Sequence, residues 1–313
     1  MEIKRGGNGL FFSIKNLKVT KGWSELALIE LDEVSKVFGF GEATTLALDE
    51  VALSVEKGEF LAVMGPSGSG KTTLMNIIGL LDRPTHGDYL LSKEPVSRLK
   101  PNQQAKLRRD RIGFVFQFYN LLPNLSVIDN VSLPLAYRGM APVRRAKRAS
   151  DMLELVGMRD REYFMPHQLS GGQAQRVAVA RALINKPSII IADEPTGNLD
   201  SHDSKVVMEL FSEIHRQGNT ILLVTHNPEL TRYATRVIYM YDGMIVGDEK
   251  TPVGQMARNA RRIYFKKQRV TDSDIAAGVS AMLKDIPGKE ITSKTKRKKA
   301  TGRKRRLIKR SKK

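Results

Sequence analysis

The sequence predicts an α/β fold in which helices cover a β-sheet. Between residues 29 and 249, short runs of β-branched residues alternate with apolar residues at helical spacing, which is the pattern of a sheet layered with helices. Two of the predicted strands are followed by polar segments. One runs into a glycine-rich loop, and the other is followed by two adjacent carboxylates. The predicted strands are 29–37, 51–56, 60–64, 112–116, 188–192, 220–224 and 236–241.

The helices are predicted from apolar periodicity. Two sets of four apolar residues lie at positions i, i+3, i+4 and i+7, as in helices that face a core. The sets are Leu74, Ile77, Ile78 and Leu81, and Val207, Leu210, Phe211 and Ile214. Between these two helices, residues 127–137 and 142–157 are predicted to form a helical insert.

The composition is that of a folded protein without disulfides. Of 313 residues, 41% are apolar, which is enough for a sizeable core. The absence of cysteine excludes disulfides, thiol catalysis and cysteine-ligated zinc. Apolar runs in the body, such as 189–192, are far shorter than the roughly 20 residues of a membrane-spanning helix. We therefore expect a protein that does not itself cross a bilayer.

The positive charge is concentrated at one end of the chain. The net charge is +19, but residues 251–313 hold 21 Lys or Arg against 4 Asp or Glu, so the first 250 residues carry only +2. The last 20 residues contain 13 Lys or Arg and no acid, a composition that predicts disorder. Such a tail could contact an anionic membrane surface or a nucleic acid, or could be a solvated extension without a specific partner.

The glycine-rich loop has the spacing of a phosphate-binding loop. It follows strand 60–64, opens the helix that contains Leu74, and fits G-x-x-x-x-G-K-[ST]. Its glycines allow backbone N–H groups to surround phosphates, Lys71 would reach the β- and γ-phosphates, and the Thr72 hydroxyl would ligate Mg²⁺. The alternative is a glycine-rich turn with an incidental lysine. The predicted nucleotide-binding residues of this segment are Gly65, Pro66, Ser67, Gly68, Ser69, Gly70, Lys71, Thr72 and Thr73.

The two carboxylates, Asp193 and Glu194, follow the buried-type strand 188–192. Open α/β sheets bind ligands at the carboxyl ends of their strands. We therefore expect Asp193 to join the Mg²⁺ coordination shell and Glu194 to polarise an attacking water. The alternative is a strand that ends in a solvated acidic turn.

A third motif carries a resemblance to a known family. Residues 169–173 read Leu-Ser-Gly-Gly-Gln and precede the carboxylate strand, which resembles the signature motif and motif order of ABC ATPases. The resemblance implies a P-loop NTPase fold of the ABC type, with a mixed β-sheet core, an antiparallel β subdomain and an α-helical signature subdomain. It also implies a head-to-tail homodimer in which the signature of one subunit closes over the ATP of its partner. The signature residues that would contact this ATP are Ser170, Gly171, Gly172 and Gln173.

Four further positions match the family in register. Phe38 is similar to the aromatic residue that stacks on adenine, although an aromatic residue in a strand is more often part of the core. Gln117 resembles the glutamine that senses Mg²⁺ and the γ-phosphate. Asp200 resembles a residue of the loop that communicates across the dimer. His226 resembles the histidine that contacts the γ-phosphate and helps to hold the attacking water, although a lone histidine after a strand is more often an ordinary surface residue. With Glu194 and Lys71, the resemblance makes Gln117 and His226 the expected catalytic residues.

Three longer segments, 76–85, 114–123 and 194–201, resemble one branch of the family, that of lipoprotein-release, macrolide-export and cell-division ATPases. This resemblance implies an ATP- and Mg²⁺-dependent ATPase subunit that drives a separate integral-membrane permease. We would then expect a cytoplasmic protein that is peripheral on the inner face of the cell membrane. The rival hypothesis is a soluble ABC ATPase that acts on nucleic acid or ribosomes through its basic tail.

The expected domain organisation has three parts. Residues 1–28 would be an N-terminal extension, residues 29–249 the ABC ATPase domain, and residues 250–313 a basic, disordered tail.

Overall fold

A computed structural model describes residues 27–39, 43–252 and 254. The strands are β1 (Ala27–Phe38), β2 (Thr45–Glu56), β3 (Phe60–Met64), β4 (His86–Leu91), β5 (Glu94–Pro95), β6 (Ile112–Phe116), β7 (Ile189–Asp193), β8 (Thr220–Val224), β9 (Arg236–Tyr241) and β10 (Met244–Lys250). The α-helices are α1 (Lys71–Ile78), α2 (Pro101–Arg111), α3 (Val127–Ala136), α4 (Pro142–Leu155), α5 (Gly171–Leu183) and α6 (Ser201–Arg216). Short 3-10 helices span Arg159–Arg161, Pro166–Gln168 and Pro228–Tyr233.

A six-stranded sheet in the order β10-β9-β3-β8-β7-β6 forms the centre of the fold. The pairs β9-β3, β3-β8, β8-β7 and β7-β6 are parallel, and β10 adds an antiparallel edge. β3 and β8 are buried along their whole length, which explains their continuous apolar sequence. Since parallel strands bring their carboxyl ends to one edge, the segments after β3, β6, β7 and β8 meet there.

A four-stranded antiparallel sheet, in the order β2-β1-β4-β5, packs beside the central sheet. Its apolar residues share one core cluster with α1 and with one face of the six-stranded sheet. The Tyr89 hydroxyl crosses this core and donates a hydrogen bond of 2.7 Å to the Ile78 carbonyl at the end of α1. This sheet is the antiparallel β subdomain that the family resemblance implied.

A separate apolar cluster holds α3, α4 and α5 together. The buried side chain of Asn130 fixes the segment that leads into α3. Its amide nitrogen donates to the carbonyls of Leu122, Leu125 and Ser126, and its amide oxygen accepts from the Leu122 N–H. The helical insert is therefore a packed subdomain, and α5 continues from it to the other face of the central sheet, where a further cluster includes α6 residues.

Four predicted strands agree with the structure at both ends: 60–64, 112–116, 220–224 and 236–241. The strand predicted at 51–56 begins earlier, at Thr45, because the first half of β2 is largely exposed and lacks a continuous apolar run. The strand predicted at 188–192 is displaced by one residue.

Other elements escaped prediction. Strands β4, β5 and β10 and helix α2 were not predicted, and α2 buries only Gln104, so it has no apolar stripe to detect. The prediction that Leu81 faces the core is wrong. Helix α1 ends at Ile78, Leu80 takes a positive φ of 56°, and Leu81 is 47% exposed.

The expected extension 1–28, apart from Ala27 and Leu28, and the basic tail beyond its first residues lie outside the described residues. Among the helices that the structure does describe, none has both the length and the apolar composition needed to span a bilayer.

Candidate active site

The loop between β3 and α1 has the backbone of a phosphate-binding loop. Gly65, Gly68 and Gly70 take φ values of 156°, 80° and 96°. A Cβ on Gly70 would lie 2.7 Å from the Ala47 carbonyl oxygen, so a larger residue there would displace the loop. Helix α1 begins at Lys71 with no side-chain cap, which leaves its first N–H groups for an anion. The Lys71 ammonium donates to the carbonyls of Gly65 (2.8 Å) and Pro66 (2.7 Å).

The loop faces a cleft of about 640 Å³. Its walls come from the phosphate loop, the first residues of α1, the start of β2, and the segments that follow β7 and β8. The lining residues are Thr45, Leu46, Ala47, Ser67, Gly68, Gly70, Lys71, Thr72, Thr73, Asp193, Glu194, Val224 and His226. The cleft therefore brings together predicted site residues from three separate parts of the sequence: Lys71 and Thr72, Asp193 and Glu194, and His226.

Asp193 has the electrostatic environment of a cation ligand. Its burial and the adjacent negative charge of Glu194 raise the pKa of the Asp193 carboxyl, and the Lys71 ammonium offsets this only in part. Bound Mg²⁺ would relieve the repulsion, and Thr72 and Asp193 line the same cleft. No cluster of three or more His, Asp or Glu side chains suited to a metal occurs in the described part of the chain. One carboxylate and one hydroxyl in the same cleft are compatible with Mg²⁺, which commonly takes most of its ligands from water and phosphate oxygens.

Glu194 is held by residues that follow β8. Its Oε1 accepts from the backbone N–H of His226 at 2.9 Å and lies 2.6 Å from His226 Nδ1, while its Oε2 accepts from the Thr225 hydroxyl at 3.1 Å. The Glu194 side chain is 18% exposed, whereas that of His226 is 73% exposed. An ionised carboxylate can only accept, so the tautomer of His226 that is protonated at Nδ1 would donate to it and leave Nε2 for a ligand or a water.

Gln117 and Phe38 lie outside the cleft lining, as do Gly65, Pro66 and Ser69 of the phosphate loop. The side-chain amide of Gln117 donates to Asn198 Oδ1 at 3.2 Å, and Asn198 Nδ2 donates to the backbone carbonyl of Gln117 at 3.1 Å. Phe38 ends β1 and pairs in register with Thr45, a lining residue. Its ring is 44% exposed, with Lys36 Nζ 4.8 Å from its centroid, so it is an accessible aromatic surface next to the cleft rather than part of the core.

The signature residues form a second group. Ser170 caps α5, since its Oγ accepts from the Gln173 N–H at 3.2 Å and Gln173 Oε1 accepts from the Ser170 N–H at 3.0 Å. A Cβ on Gly172 would collide with the carboxylate of Asp203, whose N–H donates to Asp200 at 2.8 Å. The signature and Asp200 are thus neighbours, and neither belongs to the cleft lining.

Sequence reasoning missed several residues of the site. Thr225 is fully buried and anchors Glu194, Asn198 positions Gln117, and the start of β2 at residues 45–47 forms one wall of the cleft. Thr225 could have been found from the sequence, because it lies next to the predicted residue His226. The pairing of Asn198 with Gln117 could not, because the two residues are 81 positions apart.

Comparison with known proteins gives consistent results. A family model described as "ABC transporter" matches residues 48–197. YvrO of Bacillus subtilis, named as an uncharacterised ABC transporter ATP-binding protein, is 48% identical over 71% of this chain and 97% of its own length. The macrolide export ATP-binding/permease protein MacB of Hyphomonas neptunium is 49% identical over 83% of this chain, which spans only 40% of that protein.

Among solved structures, a dimeric post-hydrolysis state of the ATP-binding cassette MJ0796 bound to ADP and Pi aligns with a TM-score of 0.66 at 43% identity. The alignment covers 71% of this chain and 98% of that structure. The predicted ABC ATPase fold is therefore confirmed, as is the resemblance of the sequence to ABC ATPases. On the match to YvrO, which covers nearly the full length of that protein, the chain belongs to the family of ABC transporter ATP-binding proteins.

Proposed function

We propose that the protein is the ATP-hydrolysing subunit of an ABC exporter, working as a head-to-tail dimer that moves a separate membrane permease. The observation that carries the proposal is the carboxylate of Glu194. Three hydrogen bonds hold it in the cleft that is also lined by residues of the phosphate loop and by Asp193.

In this mechanism, the phosphate loop binds the nucleotide. Lys71 exchanges its two carbonyl partners for the β- and γ-phosphates, and the free N–H groups of α1 face the same charge. Thr72, Asp193 and Gln117 are the residues that would hold Mg²⁺, which neutralises the developing negative charge when it is bound. Phe38 offers the adenine ring a surface beside the cleft.

Glu194 and His226 act on the water. The Glu194 carboxylate orients the attacking water and accepts its proton as the water oxygen bonds to the γ-phosphorus. The bond from that phosphorus to the β-phosphate oxygen breaks, and ADP and phosphate are the products. His226, which is fixed through Nδ1, contacts the γ-phosphate and the water through its other side. Thr225 has no contact with the nucleotide in this mechanism and is a positioning residue, because it limits the orientations open to Glu194.

A second subunit would complete the site. Ser170, Gly171, Gly172 and Gln173 lie apart from the cleft of their own chain, beside Asp200, and would contact the ATP of the partner subunit. Two solved structures of the ATP-binding cassette MJ0796 that resemble this chain are dimeric. ATP binding would close such a dimer, and hydrolysis would open it.

The permease would be a separate chain that acts in export. This role is suggested by the MacB relatives, which are macrolide export ATP-binding/permease proteins. Docking to it would hold this subunit on the inner face of the cell membrane. Contact of the basic tail with an anionic membrane surface or with nucleic acid stays a prediction, as does the rival role on nucleic acid or ribosomes.

The substitution Glu194→Gln tests the proposal. It removes the proton acceptor but keeps the shape, so we expect ATP hydrolysis to fall about 10²- to 10⁴-fold while ATP still binds and promotes dimers. Turnover and ATP affinity are measured on the purified protein with Mg²⁺. The control is Glu229→Gln, which removes the same charge from an exposed position three residues beyond His226 and should hydrolyse ATP normally.

Robust turnover by Glu194→Gln would contradict the role assigned to this carboxylate. The same variant, held closed by ATP-Mg²⁺ in gently solubilised membranes of its own cells, should retain an integral-membrane protein in near-equal amount. Recovery of ribosomal or nucleic-acid-binding proteins alone, after nuclease and salt, would favour the rival function instead.

A further inference from the structure

Helix α4 presents a set of basic residues on one exposed face. Arg144, Lys147 and Arg148 are exposed and lie at positions i, i+3 and i+4, which places them side by side. The buried residues of the same helix, Ala149 and Leu153, pack into the core of the helical subdomain. Packing therefore fixes which way the helix faces and turns these three cations, which we call the α4 basic patch, toward solvent.

The patch is not neutralised by the protein. Within residues 27–39, 43–252 and 254, no ion pair or side-chain hydrogen bond engages its three cations. Helix α6 is different, because its exposed Lys205 and Arg216 lie 3.9 Å and 2.8 Å from the carboxylates of Glu209 and Glu213. The α4 basic patch is thus a concentration of uncompensated positive charge rather than a face of alternating ion pairs.

A depression of about 660 Å³ lies beside the patch. Its lining includes all three cations, together with Arg138 from the preceding turn, and Asp151 is the single acidic residue among the described residues that line it. Arg138 is already paired with Asp110 at 3.0 Å, so its guanidinium is partly committed. The remaining charge suits a multiply anionic surface better than one small ion.

An exposed aliphatic side chain lies beside the cations. Val143, at the start of α4, is 83% exposed and lies four residues before Lys147, which places the two on the same side of the helix. Basic residues beside exposed apolar side chains are typical of surfaces that rest on a lipid headgroup layer, where the charges meet phosphates and the apolar groups enter the boundary. Nucleic acid offers phosphates too, but it contacts aliphatic side chains only at particular base edges or opened base steps, whereas a headgroup layer accepts charge and apolar surface together.

We propose that the α4 basic patch binds anionic phospholipid headgroups and holds the helical subdomain against an acidic membrane surface. This goes beyond the proposed function, which requires a permease but no lipid contact. It is also independent of the basic tail, since it rests on described residues of the folded domain.

The absence of cysteine allows a test at single positions. The full chain carries Val143→Cys with an environment-sensitive fluorophore, and the control carries Leu155→Cys, a 71% exposed position at the other end of the same helix. Vesicles containing phosphatidylglycerol should blue-shift the probe at position 143 and leave position 155 unchanged. Pure phosphatidylcholine vesicles should shift neither, and raised salt should weaken the response.

Charge removal gives the second arm. Arg144→Gln, Lys147→Gln and Arg148→Gln are combined in the Val143→Cys chain. Since each basic residue near such a surface contributes about fivefold in binding, the lipid concentration for a half-maximal shift should rise on the order of a hundredfold. The control combines Arg159→Gln, Lys205→Gln and Arg216→Gln. It changes the net charge equally and, with the tail unaltered in both chains, should respond as the parent does.

ATP hydrolysis of the patch variant in solution should be unchanged, which shows that it is folded and separates this test from that of the proposed function. An equal shift at position 155, a shift with neutral vesicles, or an unaltered response after charge removal would overturn the proposal. A response at position 143 to DNA or RNA but not to vesicles would overturn it as well.

Discussion

At the scale of single residues, two adjacent carboxylates differ because of what surrounds them. Glu194 adopts a positive φ of 45°, uncommon for a residue other than glycine, and its carboxylate has three hydrogen bonds from the segment after β8. Such backbone conformations persist where the surrounding structure fixes them, often at functional sites. Asp193 has no such set of donors, and its burial beside Glu194 raises the pKa of its carboxyl.

The raised pKa of Asp193 leads to a prediction for stability without metal. The folded state binds the proton more tightly than the unfolded state does, so the free energy of unfolding falls as pH rises from the ordinary value of 3.8 through the raised pKa. Asp193→Asn removes this penalty. We therefore expect the variant, in EDTA, to have a higher Tm than the parent at neutral pH, with a difference that shrinks toward pH 3.8.

The control for that comparison is Asp88→Asn, which removes a carboxylate from an exposed position on β4. It should leave Tm nearly unchanged at both pH values. A Tm of Asp193→Asn that equals or falls below the parent value at neutral pH would refute the expected penalty. With Mg²⁺ and ATP the order should reverse, because the parent then gains binding energy that the variant lacks.

At the scale of elements, the turn between β9 and β10 supports the phosphate loop. Asp242 and Gly243 both take positive φ, at 45° and 77°. The Gly243 N–H donates to the Ser69 carbonyl at 3.2 Å, and its carbonyl accepts from the Asp49 N–H of β2 at 3.0 Å. The turn therefore connects the phosphate loop to the strand whose beginning lines the opposite wall of the cleft.

Replacing Gly243 with alanine should weaken nucleotide binding. The new Cβ would lie 3.0 Å from the Ala47 carbonyl oxygen, and the positive φ is itself unfavourable for alanine. We expect KM for ATP to rise several-fold and stability to fall by about 1 kcal/mol or more. The control is Gly218→Ala, with a φ of 90° but open space around the added Cβ. It should lose stability without a change in KM, and equal KM effects in both variants would argue against a role for the turn.

At the scale of the whole molecule, the site residues separate into two groups. One lines the cleft, and the other surrounds the start of α5 next to α6. A head-to-tail dimer would bring the second group of one chain to the first group of the other, which gives the signature a function that it lacks in a single chain.

Ser170→Asp tests this arrangement without removing the helix cap. Aspartate caps helices about as well as serine, so the fold should be preserved, but its charge would face the phosphates bound by the partner subunit. In the Glu194→Gln background, we expect ATP still to bind while sedimentation shows loss of the ATP-dependent dimer. Ser170→Asn, a neutral cap, should retain more of the dimer. Full dimerisation of the aspartate variant would exclude close contact between Ser170 and the partner's nucleotide.

The sequence by itself determined the parts of this protein whose information is local. A buried parallel strand is a short apolar run, and a phosphate loop is a fixed spacing of glycines before Lys71, so β3, β6, β8 and β9 and the signature motif could be predicted from neighbouring residues. Helix α2 and strand β5 could not, because one has no apolar stripe and the other has two residues.

Tertiary structure decided how these local pieces meet. The contact of Thr225 with Glu194 joins residues 31 positions apart, and that of Gln117 with Asn198 joins residues 81 apart. The register of the parallel strands sets both contacts, and no pattern within either segment records it. The same holds for Phe38, which the apolar pattern of β1 could assign to the core or to the surface. Only the pairing of β1 with β2 places its ring, exposed, beside the cleft.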